Sequence, residues 1–517
     1  MEMSAYSSIA VLSSCFVLLT LAWKLFNWIW LKPKKLEKLL KQQGFKGNPY
    51  RLLFGDLKDI SNSAREARSK PISLSDDIIP RIIPEFHKLV QKYGTKTYIW
   101  YGPEPAIFIQ DPELLREAAQ AITVFHKPDA GQFTRLLTPG LASYNGDKWA
   151  KHRKLINPVF NGEKLKTMLP AFQTSASEMM RKWEEIVLPK GSCELDIWPY
   201  LQRVTCDAIS RTAFGSNYEE ARKIFELQGE QLEHCVKAVW SMFIPGWRFL
   251  PTKRNRRMRQ IEKEVDDSIR RIVNSRLKAM RAGDSCDDDF LGRLLESNSQ
   301  EIHKHGSKGV GMSTQEVVEE CKLFYFAGQE TTSVLLLWTM ILLSRYQNWQ
   351  KRAREEVLQL FGTNKPDNDG LNRLKVVTMI LYEVLRLYPP LPVNSRRTAE
   401  EARLGNLSIP AGILILKHIA LIHHDPELWG DDVKEFKPER FSDGVSNAAK
   451  GQAAFFPFGW GPRICTGQNF SMLEAKIVMV MILQRFSFEF SPSYSHAPYS
   501  LITLKPQHGA HLILQKL

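Results

Sequence analysis

The stretch from Phe456 to Phe486, "FPFGWGPRICTGQNFSMLEAKIVMVMILQRF", is the tightest local constraint on how this chain can fold. Gly459, Gly461 and Pro462 demand a turn, and Gly467 lets a helix begin close behind Cys465. A thiol in such a turn faces backbone N–H groups and the positive end of a helix, and both lower its pKa. The plainer reading of a lone cysteine is a small buried hydrophobe. The other six cysteines, Cys15, Cys193, Cys206, Cys235, Cys286 and Cys321, make an odd total of seven, with no C-x-x-C pair and no cysteine-histidine cluster at zinc spacing. A reducing compartment follows, with Cys465 free to act as a thiolate.

The rest of the chain reads as helix-rich. A helix is predicted over Thr314 to Arg345, opened by a capping box of Ser313 with Glu316 and apolar through "CKLFYF" and "SVLLLWTMILL". A helix apolar on every face is buried. It is interrupted by "FAGQETTS", small and polar residues that are costly inside a core unless they line a cavity. Further helices are expected from Leu371 to Leu387, stopped by Pro389 and Pro390, and from Phe470 to Arg485. Strand-like alternation is confined to "TKTYIWYG", "LSIPAGILIL" and the tail "HLILQKL". Loops are expected at "RAGDSCDDD", "ESNSQEIHKHGSKGVGMS", "GTNKPDNDG" and "FSDGVSNAAKGQ".

Residues Ser4 to Leu31 carry one charge, Lys24, over a length sufficient to span a bilayer. No basic leader or A-x-A site accompanies them, so a retained anchor fits better than a removed signal peptide. An amphipathic surface helix fits less well, because the stretch is apolar all round. Five lysines follow (Lys32, Lys34, Lys35, Lys38 and Lys41), which places the body in the cytosol. "QQGFKGNPYRLLFGDL" reads as a linker to the globular part. The net charge of +14 is spread along the chain, without a zinc finger, an RNA-binding signature or a recognition-helix pattern. It points to an anionic membrane or an acidic partner rather than to nucleic acid.

Phe458, Gly461, Arg463, Cys465 and Gly467 fit F-x-x-G-x-R-x-C-x-G, and "AGQETT" fits A-G-x-E-T-T; on these motifs the sequence resembles the cytochrome P450 superfamily. The resemblance covers essentially the whole chain. It implies a mainly α fold with small β-sheets behind an N-terminal transmembrane helix, divided as anchor (1–32), linker (33–57) and haem-binding domain (58–517). It implies haem b held by the Cys465 thiolate, with Phe458 packed near the sulfur. Trp149 and Arg153, as W-x-x-x-R, would join Arg463 and Arg396 at the propionates; Arg397 is the neighbouring alternative to Arg396. Gly328 would leave room for O₂, while Glu330 and Thr331 would deliver protons. The plainer reading there is that Thr331 bonds back to its own helix and Glu330 makes a structural pair. Glu383, Arg386 and Arg440 would form the family's bracing network.

No G-x-G-x-x-G or P-loop is evident, so electrons would come from NADPH through a cytochrome P450 reductase. Lys148, Lys151 and Lys154 offer part of a basic docking face, or an ordinary solvated one. "LEKLLKQQGFKGNPYRLLFGDLK", "IPGWRFLPTKRNRRM" and "EECKLFYFAGQETT" are similar to a plant clan of secologanin synthase-like enzymes and triterpenoid oxidases. That likeness implies an apolar terpenoid substrate, the endoplasmic reticulum membrane, and a pocket lined by Phe133, Leu136, Phe326, Ala327, Val393, Asn394 and Leu501. The rival readings are an O₂-independent haem isomerase or dehydratase, and a haem sensor or electron carrier.

Overall fold

The structure, a computed structural model, describes residues 2–128, 136–215, 218–238, 246–282, 289–305, 310–450 and 454–517. At its centre lies the helix Thr314–Arg345, capped by Ser313 and Glu316 in a reciprocal box as expected. Its apolar side chains are buried on all faces, against the helices Trp198–Phe214, Lys253–Arg281 and Gln468–Arg485 among others. The helix predicted over Leu371 to Leu387 is two, Asn368–Arg373 and Val376–Leu387. The break is held by Glu356, whose carboxylate accepts the N–H groups of Lys375, Val376 and Val377 and so caps the second helix from outside. The stretch expected as a loop from Glu296 is largely helical, within Phe290–His305. Asp289 accepts the Gly292 N–H at its start, and Asn298 bonds both the N–H and the carbonyl of Met312.

Among the described residues, four small sheets flank the helices. The largest runs Lys46–Gly47, Thr97–Tyr101, Glu104–Phe108, Leu414–Lys417, Asn394–Thr398 and Phe125–His126 in spatial order. "LSIPAGILIL" supplies two strands rather than one, Leu407–Ile409 and Leu414–Lys417, because Pro410 and Gly412 turn the chain between them. The tail strand His511–Lys516 sits between Phe486–Phe490 and Ser192–Asp196, antiparallel to both.

Near the N-terminus, helical structure continues from Glu2 through a π-helical turn at Asn27–Leu31 to Gln42. The apolar part is long enough to cross a membrane and is not buried against the body. The stretch after it packs firmly. Leu36, Leu40, Phe45 and Tyr50 are buried against Tyr98 and Trp100, Lys46 pairs with Thr97, and the Tyr50 hydroxyl donates to the Ile29 carbonyl at 2.7 Å. Segment 33–57 is therefore helix, strand and packed turn in place of an open linker, because its apolar side chains cover one face of the large sheet.

Candidate functional site

Two half-exposed places interrupt the buried interior. In the central helix they are Ala327, Gly328 and Thr331, between fully buried turns on either side. In the turn before Gln468–Arg485 it is Cys465, whose sulfur is accessible although protein surrounds it. Exposure inside a crowded interior marks an internal cleft. The cysteine turn is built as its glycines require: Gly459 and Gly461 have φ of +80° and +71°, and a Cβ on Gly461 would stand 3.1 Å from the Ala119 carbonyl oxygen. The Cys465 N–H donates to Phe458 O at 2.9 Å, which closes the turn.

Burial raises the Cys465 thiol above its ordinary value; the Gly467 N–H and the Arg153 charge pull it down without prevailing. The lowered pKa expected from the turn is thus corrected, because desolvation outweighs the local dipoles. A strong cation next to the sulfur would reverse that balance.

One wall of the cleft is cationic. Trp149 lies beneath the Arg463 guanidinium at 4.5 Å, and Arg463 donates to Tyr144 O and Asn145 Oδ1. Arg153, one helical turn after Trp149, donates to Ile464 O at 2.9 Å. Strand alternation separates the two adjacent arginines: Arg397 turns to Glu104 at 2.6 Å, whereas Nε and Nη1 of Arg396 are buried with no partner. Lys127 and Lys417, which the sequence reading did not single out, complete the wall. Lys127 donates to Asn394 Oδ1, and Lys417 Nζ sits 3.7 Å over the Phe456 ring.

These cations repel one another. Burial brings Arg396 and Arg463 down to about 10, Arg463 also through Arg396 and Arg153. Lys417 is brought to about 7 by burial and Arg396, and Lys127 is lowered well below its ordinary value by burial and by Arg396, Arg463 and Lys417. No described carboxylate pairs with Lys127, Arg396, Lys417 or Arg463. Such a wall fits a ligand with two carboxylates, and a thiol facing the same cleft fits a metal between them. Haem meets both requirements.

Glu330 and Thr331 are both held by other groups. The Thr331 hydroxyl donates to Ala327 O at 2.8 Å, and Glu330 Oε1 takes a hydrogen bond from Thr503 at 2.6 Å with Lys505 Nζ 2.5 Å away. At Gly328 a Cβ would lie 2.8 Å from Ile209 Cδ1, so its smallness also serves the close approach of helix Trp198–Phe214.

Of the expected pocket residues, Leu136 and Phe326 share an apolar cluster with Leu137, Leu232 and Met258. Ile502, not Leu501, packs onto that cluster. Val393 and Ala327 pack against the main core, Asn394 belongs to the cationic wall through Lys127, and Phe133 lies outside the described residues.

The Glu383 carboxylate receives both arms of Arg386 at 2.7 Å, and Arg440 Nε approaches it at 3.5 Å. A second buried pair, His152 Nδ1 to Glu320 Oε1 at 2.6 Å, ties the helix of Trp149 and Arg153 to the central helix. The lysines expected to form a docking face are matched by acids or carbonyls: Lys148 by Glu316, Lys151 by Gly311 O, Lys154 by Glu301.

Comparison with known proteins agrees with this geometry. The family model described as Cytochrome P450 matches residues 79–512. Cytochrome P450 CYP72A219 of Panax ginseng is 59% identical over 502 residues, 97% of this chain and 97% of that protein. Cytochrome P450 72A397 of Kalopanax septemlobus is 57% identical over 96% of this chain and 95% of its own length. Cytochrome P450 72A15 of Arabidopsis thaliana is 54% identical over 96% of each. The chain therefore belongs to the cytochrome P450 family, as a monooxygenase that carries haem on a cysteine thiolate and uses O₂ with electrons from NADPH passed through a reductase.

Proposed function

We propose that this monooxygenase is anchored in the endoplasmic reticulum membrane and hydroxylates, or further oxidises, an apolar plant terpenoid of triterpenoid, iridoid or gibberellin type. The observation that carries the reading is the apolar cluster of Leu136, Leu137, Phe326 and Ile502, which begins one residue from the half-exposed notch at Ala327. An apolar wall beside few polar groups suits a hydrophobic ligand. The helical segment before Gln42 supports membrane attachment, and the likeness to a terpenoid-oxidising plant clan supports the substrate class.

Bound haem would supply the activation of O₂ and the insertion of one of its oxygen atoms into a C–H bond, the other leaving as water with two protons and two electrons. The chain's own residues do the rest. Cys465 would hold the iron from the turn closed by Phe458 O, with Phe458 packed nearby. Arg153, Arg396 and Arg463, with Trp149 beneath Arg463, would receive the propionates, and Lys127 and Lys417 would add charge on the same wall. Glu330 would pass a proton to Thr331 Oγ1 while the hydroxyl hands its own proton into the cleft, for which it must release Ala327 O. Glu383, Arg386 and Arg440 act in folding and haem retention alone.

The test uses microsomes holding this chain and a plant reductase, first verified by a thiolate-type carbon monoxide spectrum. Given NADPH and a panel of triterpenoids, iridoids and gibberellins, they should yield a product heavier by oxygen. A sound spectrum with no product from any panel member refutes the substrate class. Cys465→Ser should abolish the thiolate-type spectrum, and Thr331→Ala should divert NADPH into peroxide; unchanged coupling refutes the proton role.

A further inference from the structure

Glu330 stands four residues after Phe326, and Thr331 four residues after Ala327, so adjacent faces of one helix present an acid and a hydroxyl. Neither is aimed at the other in the structure. The hydroxyl is closed onto Ala327 O, and the acid is turned toward a hairpin formed by Pro498–Ser500 and Leu504–Pro506. That hairpin supplies both groups that hold Glu330 Oε1, Thr503 from its tip and Lys505 from its second strand. All three side chains are largely removed from solvent: Glu330 and Thr503 are buried, and the Lys505 side chain is 15% exposed.

The hairpin is tied at both ends, and its tip packs against the apolar cluster. At the open end Arg81 Nε donates to Pro498 O at 2.9 Å; next to the tip Trp338 Nε1 donates to Leu504 O at 2.9 Å and the Leu504 N–H donates to Pro390 O. Ile502, in the tip just before Thr503, packs against the cluster that contains Phe326 and Leu136. Two consecutive residues therefore place one side chain against the apolar cluster and the next on the acid.

We propose that Lys505 and Thr503 are positioning residues that latch Glu330 away from Thr331, and that occupation of the apolar cluster, felt by Ile502, loosens this latch. The inference rests on the reading of Glu330 as proton donor. A buried charge-assisted contact is strong enough to keep one side-chain position dominant, and removing its cation shifts such a two-position equilibrium by about tenfold or more.

The experiment uses full-length holoenzyme, reduced under carbon monoxide, with the C–O stretching band as a report of distal polarity. Lys505→Met and Thr503→Val should each enlarge a shifted component of the band by about tenfold over the wild type, as the freed carboxyl reaches the Thr331 side. Lys505→Arg, which keeps the cation, should match the wild type. Adding a triterpenoid that gives a binding spectrum should enlarge the same component in the wild type, and Ile502→Ala should lose most of that response. In Glu330→Gln/Lys505→Met the shifted component should vanish.

An unchanged band in both Lys505→Met and Thr503→Val overturns the latch, and so does a shift that persists in the Glu330→Gln background. A triterpenoid that binds without enlarging the component in the wild type, or enlarges it equally in Ile502→Ala, overturns the coupling to the pocket. Should Lys505→Met fail to give a thiolate-type spectrum, Thr503→Val, which retains the ion pair's charges, decides. Product coupling in Glu330→Gln is measured separately: full coupling there refutes the proton role while the band still judges the latch.

Discussion

Removing the Glu383 carboxylate should come close to unfolding the protein. An i, i+3 ion pair on a solvated helix contributes only ~0.2–0.5 kcal/mol. Glu383 and Arg386 are 0% exposed, and the fork of Arg386 reaches both carboxylate oxygens at 2.7 Å. The same carboxylate accepts the Lys437 N–H at 2.9 Å. Breaking a buried pair from one side costs about 3–5 kcal/mol, since the remaining charge stays buried. The stranded N–H adds about 1 kcal/mol. Glu383→Ala therefore loses about 4–6 kcal/mol, against a total stability on the order of 5–15 kcal/mol. Arg386→Met should cost at least as much, because Arg386 also donates to the carbonyls of His423, Val433 and Glu435. The double variant should be less damaged than the sum of the two. The assay is urea unfolding of detergent-solubilised enzyme, followed by loss of the thiolate-type carbon monoxide band. Two results refute the reasoning: a Glu383→Ala cost below about 1 kcal/mol, or single-variant costs that add within about 0.5 kcal/mol.

Gly328→Ala should destabilise by about 1–3 kcal/mol through overpacking on Ile209, and Ile209→Val should recover part of it; thermal unfolding of the pair and the singles reads this. Arg396→Gln should lower haem retention, measured as haem per protein after gel filtration, whereas Arg397→Gln loses a half-exposed pair with Glu104 and should stay within about 1 kcal/mol of the wild type. Lys417, at about 7 before an anion joins the wall, must gain a proton when carboxylates bind at higher pH. Affinity of apoprotein for haem should thus fall as pH rises above about 7, approaching tenfold per pH unit, and be insensitive to this group below it; tryptophan quenching during haem titration reports the slope, and Lys417→Met should flatten it.

What could be read in advance was whatever local pattern determines alone. The capping box at Ser313 and Glu316 and the breadth of the apolar run set the central helix, and the glycines around Cys465 set its turn, since these depend on neighbours in sequence. The choice between Arg396 and Arg397 needed the strand's phase, which only the pairing of Arg396 with Ile415 and the contact of Arg397 with Glu104 supply. The packing part of Gly328's role could not be foreseen, because a helix meets neighbours on every face and the one a Cβ would strike, Ile209, comes from far away in the chain. Lys127 and Lys417 leave almost no trace: each is a lone lysine at the end of a short strand, and what marks them is the lack of an acid across a cleft. The thiol's balance between dipoles and desolvation was likewise a property of enclosure, and enclosure is not written in a decapeptide.

The packing of residues 33–57 bears on how this protein can be handled. A chain that left the bilayer through a loose cord could be cut anywhere along it, and the remainder would swing freely on what was left. Here the helix Lys32–Gln42 turns Leu36 and Leu40 onto the sheet and is followed at once by Lys46 pairing with Thr97. The join acts as a mast stepped into the hull. Trimming before Lys32 removes the apolar shaft and costs the joinery only the contacts of Tyr50 with Ile29 and Trp30, while trimming at Gly47 strips the cover from Tyr98 and Trp100 and makes a sticky surface out of a seam. The same stiffness holds the apolar shaft at a set bearing to the body, so the two move as one piece rather than as a weight on a string.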